Sequence, residues 1–230
     1  AQYGHVSFWK DVFRRFFSSK ATILCLLVLV AIFLGCIIVP MAKPDAISGI
    51  NAGAINAKPG SEYWMGGDRY GHDVFIKAWS GGRLSFLVGF TAAFLQAVIG
   101  VFVGCVAGYC GGKVDMVLMR IVDVLISIPY LIVVLAIQVV VGRGVGTIIL
   151  ALVVTGWLNM ARLTRGQILQ LKNEDYIMAA QSLGVKPFVI MVRHLLPNIL
   201  SVVLVSITLA IPQAMFSEAF LSFIGLGTSD

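Results

Sequence analysis

Apolar residues in this chain gather into five long runs, separated by short polar or charged segments. Residues 21–39 carry no charge and stop at Pro40; residues 84–110 carry none, with Arg83 before them and Lys113 after. Residues 124–142 lie between Asp123 and Arg143, residues 144–161 end at Arg162, and residues 199–217 follow Pro197-Asn198 and end at Glu218. A helix needs roughly 17–25 apolar residues to cross the hydrocarbon of a bilayer, and each run qualifies. Helices also satisfy their own backbone hydrogen bonds in lipid. The pattern predicts an all-α polytopic membrane protein with five spans.

The segments between the runs differ in kind. Residues 1–20 hold Phe8, Trp9, Phe13, Phe16 and Phe17 among Lys10, Arg14 and Arg15, a basic amphipathic stretch expected to lie along a membrane surface. The first span covers residues 21–40. Residues 41–83 form a loop too long and Gly-rich for a tight turn, and residues 142–146 form a short one. The remaining residues, 84–230, make the membrane core.

Within that core, residues 164–197 do not read as a solvated linker. Tyr176, Ala179 or Ala180, and Leu183 fall at helical spacing, and after Gly184 so do Phe188, Met191, Val192 and Leu195. Gly184 suits a helix that ends in a left-handed residue, and Pro187 suits the first turn of the next helix. Pro197 is expected to end that second helix before the fifth span. Glu174 and Asp175 stand near the first helix's N-terminus, where negative charge is favourable. Two short amphipathic helices outside the bilayer need a cover for their apolar faces, and another protein is the expected one. Lipid headgroups would call for more basic residues than Lys172, Lys186 and Arg193.

Composition agrees with the pattern. Hydrophobic residues make up 59% of the chain, charged residues 12%, and the mean hydropathy is +0.94. Soluble domains carry about 25% charged residues. Orientation follows the basic residues. With the N-terminus inside, Lys10, Arg14, Arg15, Lys20, Lys113, Arg120, Arg162, Arg165, Lys172, Lys186 and Arg193 are inside too, eleven of the 17 basic residues. The net charge of +6 is this orientation signal. No basic and aromatic interleaving points to nucleic acid.

Few side chains invite chemistry. Cys25, Cys36, Cys105 and Cys110 lie in or beside apolar runs without metal-site spacing, so they read as packing residues. The only histidines, His5, His72 and His194, fall on opposite sides of the membrane, and no metal site is expected. Gly100, Gly104 and Gly108 repeat every fourth residue and make a grooved face for helix packing. Pro129 and Pro212 permit kinks. Gln96, Gln138, Asn159, Ser206, Thr208, Gln213 and Glu218 are candidates for a wet path through the membrane, with interhelical hydrogen bonding as the plainer alternative for each.

Four stretches resemble a known family. Ala179, Ala180, Gly184, Leu196 and Pro197 match the EAA loop of ABC-importer permease subunits in identity and spacing, with Met178 where that loop has its Glu. Gly67-Asp68-Arg-Tyr-Gly71-His72-Asp73 with Ser80-Gly-Gly-Arg83, then Gly108-Tyr-Cys-Gly-Gly112-Lys-Val-Asp115, then Glu218-Ala-Phe-Leu-Ser-Phe-Ile-Gly-Leu-Gly227, resemble the dipeptide, oligopeptide and nickel branch of that family. There the first stretch usually reads Gly-Thr-Asp-x-x-Gly-Arg-Asp, so Gly67 and His72 are departures.

The resemblance implies the type I transmembrane-domain fold of an ABC importer, with a sixth span beyond Asp230. It implies the second of two permease subunits of a peptide importer in a bacterial cytoplasmic membrane, N-terminus inside. It implies partners as well: a second homologous permease, two cytoplasmic ATPases that bind ATP and Mg, an extracytoplasmic binding protein and a peptide cargo. The ATPase-coupling set would be Asp175, Tyr176, Ala179, Ala180, Leu183, Gly184, Val185, Lys186, Phe188 and Pro197. No Gly-x-x-x-x-Gly-Lys-Ser/Thr loop occurs, so this chain is expected to bind no nucleotide and catalyse no reaction. The rivals are a stand-alone channel or secondary carrier and, within the family, import of nickel or another small solute.

Overall fold

The computed structural model describes residue 14, residues 16–43 and residues 51–227. Most of the amphipathic stretch expected over residues 1–20 therefore lies outside the described residues. The chain divides into two compact units, Ala1–Leu84 and Ser85–Asp230.

In the first unit, helix α1 spans Lys20–Ala42, its start capped by Ser19, whose hydroxyl accepts the Thr22 N–H at 3.5 Å. Its side chains are apolar all round and mostly exposed, as a lipid-facing span requires. Pro40, expected to stop it, sits inside its last turn. A Cβ added at Gly35 would come within 2.3 Å of the Trp79 ring, so glycine admits that ring.

Helix α2 spans Val74–Cys110 and begins ten residues before the apolar run at residue 84. Asp73 starts it: its carboxylate accepts the Phe75 N–H at 2.9 Å and its carbonyl accepts the Lys77 N–H at 3.0 Å. Lys77 and Arg83 hide this extension from a hydropathy reading, although Ile76 is buried.

Residues 51–73 fold around one carboxylate. Asp68 accepts the backbone N–H groups of Tyr70 and His72, each at 2.9 Å, and lies 3.0 Å from His72 Nδ1 and 3.1 Å from Lys77 Nζ. The His72 N–H above all, with the other donors, holds this carboxyl well below the usual carboxylate range against the opposing effect of burial. A Cβ at Gly67 would lie 1.7 Å from the Ala54 carbonyl oxygen. A side chain at this position would therefore displace the Ala54 backbone.

The second unit is helical, with no strand among its described residues. After α2 come α3 (Gly112–Ile126), α4 (Tyr130–Val141), α5 (Val145–Lys172), α6 (Asp175–Ser182), α7 (Pro187–Ile190) and, beyond a π-helical turn at Met191–Leu195, α8 (Leu196–Phe223). The run at 124–142 is not one helix. It breaks between Ile126 and Tyr130, and α3 and α4 meet at 87°. Pro129 lacks an N–H and pushes the residue before it out of helical conformation, while the Ser127 hydroxyl closes α3 on the Val124 carbonyl at 2.6 Å. With 12 residues, α4 is about 18 Å long. Alone it is too short to cross a bilayer, and only together with α3 does it reach a span's length.

Helices α2 and α5 approach closely. Added Cβ atoms at Gly100, Gly104 and Gly108 would come within 2.5, 2.6 and 2.8 Å of Met160, Ala161 or Thr164, and Ile168. Helix α3 is tied to α5 by charge: Arg165 grips both carboxylate oxygens of Asp115, and Arg162 meets Asp123 at 2.5 Å. Lys172, at the end of α5, donates to the Tyr109 carbonyl at 2.6 Å.

Candidate functional site

Two features of the second unit bear on function: the hairpin of α6 and α7, and a cavity among α2, α4, α5 and α8.

The hairpin reverses at Gly184. Its N–H reaches the Gln181 carbonyl at 3.0 Å, and the Val185 N–H reaches the Ala180 carbonyl at 3.1 Å. This double closure needs a left-handed residue at its corner, and Gly184 has φ +73°. Nothing lies within 4 Å of a Cβ built there, so the demand for glycine is conformational and not steric. Pro187 opens α7 with Lys186 before it.

Pro197 behaves differently from the expectation. The helix does not end there; it runs on from Pro187 to Phe223. The π turn makes this possible. Leu196 donates to the Met191 carbonyl, five residues back, and the wider turn takes the strain that a proline imposes on a regular helix. Pro197 sits in the first turn of α8. Asn198 donates to the His194 carbonyl at 2.7 Å and to the Tyr176 hydroxyl at 3.2 Å, tying α6 to α8.

The hairpin has two apolar faces. Ile177, Ile190, Leu195 and Ile199 are fully buried and pack with Cys105, Ile168 and Val203 of α2, α5 and α8. Ala180, Val185 and Met191 lean on this cluster. The other face is bare: Leu183 is 83% exposed, Phe188 76%, and Tyr176, Met178 and Val192 are exposed as well. Asp175, Ala179 and Lys186 are also exposed. The expected stripe of Tyr176, Ala179 and Leu183 is thus the outward one. Ile177, which anchors the inward face, was missed because an eight-residue helix apolar on both sides has no face that periodicity can single out.

The cavity holds about 550 Å³. Of the polar candidates, Gln96 of α2, Asn159 of α5 and Ser206 and Gln213 of α8 line it, and Gln138, Thr208 and Glu218 do not. Gln138 is buried and donates to the Leu226 carbonyl at 2.6 Å. Thr208 is exposed and bonds its own helix at Leu204. Glu218 is 5% exposed and accepts from the hydroxyls of Ser85 at 2.7 Å and Ser222 at 3.0 Å. Those three are interhelical or local ties, and a carboxylate so enclosed needs its hydroxyl partners. In their place the cavity takes Thr155 of α5, Tyr130 of α4 and Ser217 of α8. Tyr130 escaped notice because only the break at Pro129 brings the first residue of α4 to the cavity. No charged side chain lines the cavity among the described residues, and no group of them has the makings of a metal site.

Comparison with known proteins is informative. The family described as "Binding-protein-dependent transport system inner membrane component" matches residues 100–229, and "N-terminal TM domain of oligopeptide transport permease C" matches residues 7–59. The chain is 43% identical to the dipeptide transport system permease protein DppC of Bacillus subtilis (strain 168) over 222 residues, covering 96% of this chain and 69% of that protein. It is 42% identical to the oligopeptide transport system permease protein OppC of the same organism, with 96% and 73% covered. Against OppC of Escherichia coli (strain K12) identity is 39% over 226 residues, with 97% and 75% covered.

Proposed function

The chain belongs to the family of binding-protein-dependent transport system inner membrane components, and from that premise we propose that it carries di- or oligopeptides inward, driven by partner ATPases that seat on the α6–α7 hairpin. Its general role is that of a multi-pass permease subunit of an ABC importer. The partners in this reading are a second permease subunit, two ATPases holding ATP and Mg, and a binding protein outside. The membrane is the bacterial cytoplasmic membrane, with the N-terminus inside.

The observation that carries the coupling role is the two-faced hairpin. Its inward face is packed into α2, α5 and α8, so a push on it reaches the helices that line the cavity. Its outward face offers Leu183 and Phe188 at a rigid corner, and apolar side chains this bare in water favour a protein cover. Closure of the ATPases on ATP would move the hairpin as one body with α8, because no break separates Pro187 from Phe223. Such a push shifts a two-state equilibrium only in so far as ATP binds one arrangement better. Peptide as cargo rests on the named relatives.

The test is uptake of labelled peptide by the four-subunit complex in proteoliposomes, with its binding protein supplied. Uptake that requires ATP, and that Leu183→Asp with Phe188→Asp abolishes while the two permease subunits stay paired, supports the reading. ATP-independent uptake would favour a channel or carrier.

A further inference from the structure

The cavity's hydrogen-bonding groups are not equally free. Thr155 donates to the Ala151 carbonyl at 3.0 Å, Ser206 to that of Val202 at 2.9 Å, and Ser217 to that of Gln213 at 2.9 Å. Gln96 gives one of its two amide hydrogens to the Leu152 carbonyl at 2.9 Å and keeps the other. A hydroxyl has one hydrogen to give, so Thr155, Ser206 and Ser217 face the cavity as acceptors. Three lining residues have donors that are wholly uncommitted. The Asn159 and Gln213 amides have no hydrogen-bond partner among the described residues. The Tyr130 hydroxyl is fully enclosed and also lacks one. A buried hydroxyl without a partner is costly and calls for an explanation.

We propose that Tyr130, Asn159 and Gln213 are the specificity-determining contacts of this half of the passage, and that they read the cargo's peptide main chain without regard to side-chain charge. The inference rests on the peptide-importer reading above. Free amide and hydroxyl donors match main-chain carbonyls, and the spent hydroxyls match main-chain N–H groups. A lining without fixed charge gives neither an acidic nor a basic side chain a partner or a repulsion, and discrimination by charge requires one or the other. The three donors sit on α4, α5 and α8 around one cavity; Asn159 and Gln213 are exposed, while the Tyr130 hydroxyl, enclosed in this arrangement, meets cargo only once the helices around it shift. Tyr130 is held there by the break at Pro129, which starts α4 at the cavity.

The experiment uses the complete importer in proteoliposomes, with binding protein preloaded with Ala-Ala-Ala, Ala-Glu-Ala or Ala-Lys-Ala, and reads peptide delivered per ATP hydrolysed. The wild type should deliver the three within about threefold of one another, the scale of a weak preference. Tyr130→Phe should lower all three by a similar factor, about fivefold for one lost hydrogen bond, with ATP hydrolysis retained. Asn159→Asp and Gln213→Glu should each lower the ratio of glutamyl to lysyl peptide by about tenfold, and Gln213→Lys should raise it, by charge repulsion or attraction in the passage. A merely structural role cannot reverse that ratio with the sign of the introduced charge. If ATP-driven uptake persists but the ratio ignores all three charges, or the wild type prefers one charge strongly, the inference falls and the importer reading stands. If the wild type delivers no peptide with ATP, the importer reading itself falls, and the inference with it.

Discussion

The α6–α7 hairpin turns apolar side chains outward, whereas the cavity among α2, α4, α5 and α8 turns polar ones inward. Each reverses the habit of a soluble domain, and each does so where a partner of matching character is proposed. The hairpin separates its duties by face: Ile177 and Leu195 hold it to the membrane helices, while Leu183 and Phe188 stand exposed among the described residues. The cavity separates them by group: most hydroxyls bond their own helices, while the donors of Tyr130, Asn159 and Gln213 remain wholly uncommitted. The contrast teaches that stability and function here rest on different side chains, often one residue apart. Mutation can therefore part them.

The largest effect is expected from Leu183→Asp with Phe188→Asp. Removing two bare apolar anchors should weaken ATPase binding by about a hundredfold or more and abolish uptake. Co-purification of the ATPases measures it, and the permease should melt at its wild-type temperature. The inward face should do the opposite. Ile177→Ala should cost about 2–4 kcal/mol by leaving a cavity in the buried cluster, read as a lower melting temperature in detergent, while Leu183→Ala should leave melting unchanged. Equal melting losses at both positions would erase the distinction between faces.

Gly184→Val comes next. A β-branched residue at φ +73° should cost about 1–2 kcal/mol, felt as reduced ATPase binding, and Gly184→Asn should restore most of it. Tyr130→Phe should change melting by less than about 1 kcal/mol, since the hydroxyl removed has no partner among the described residues. A large melting loss would give that hydroxyl a structural duty and blur the cavity's division of labour.

The smallest effect belongs to residues 51–73. The Asp68 carboxyl is held below its unfolded value, so its contribution to stability is full above the unfolded pKa of about 4 and fades as pH falls through the lower folded value. Wild type and Asp68→Asn should thus differ most in melting at neutral pH and converge as the solution is acidified toward that folded value. A difference independent of pH would remove the carboxylate from that account.

Much of this was legible in the chain. The long apolar runs predicted helices because only a helix or a closed barrel satisfies backbone groups in lipid. Gly184 and Pro187 marked a turn and a helix start through conformational preferences that need no tertiary context. What was not legible depended on geometry between elements. Pro129 announced a kink, but the 87° break that splits the third run into α3 and α4 needed the structure. Pro197 read as a stop because a proline breaks a regular helix, and the π turn that admits it has no sequence signature. Glu218 read as part of a path because a charge in a span is costly; Ser85, more than a hundred residues away, encloses it instead.

By itself, then, the sequence determined that this chain crosses a membrane as helices and that a hairpin turning at Gly184 carries exposed apolar side chains. Both follow from local quantities, hydropathy and backbone preference, that hold wherever the segment lies. Only the tertiary structure decided which face of α6 is buried, which polar side chains share the cavity, and which donors remain free. Those are properties of pairs of side chains far apart in the chain, and a pair acquires its distance only when the helices pack.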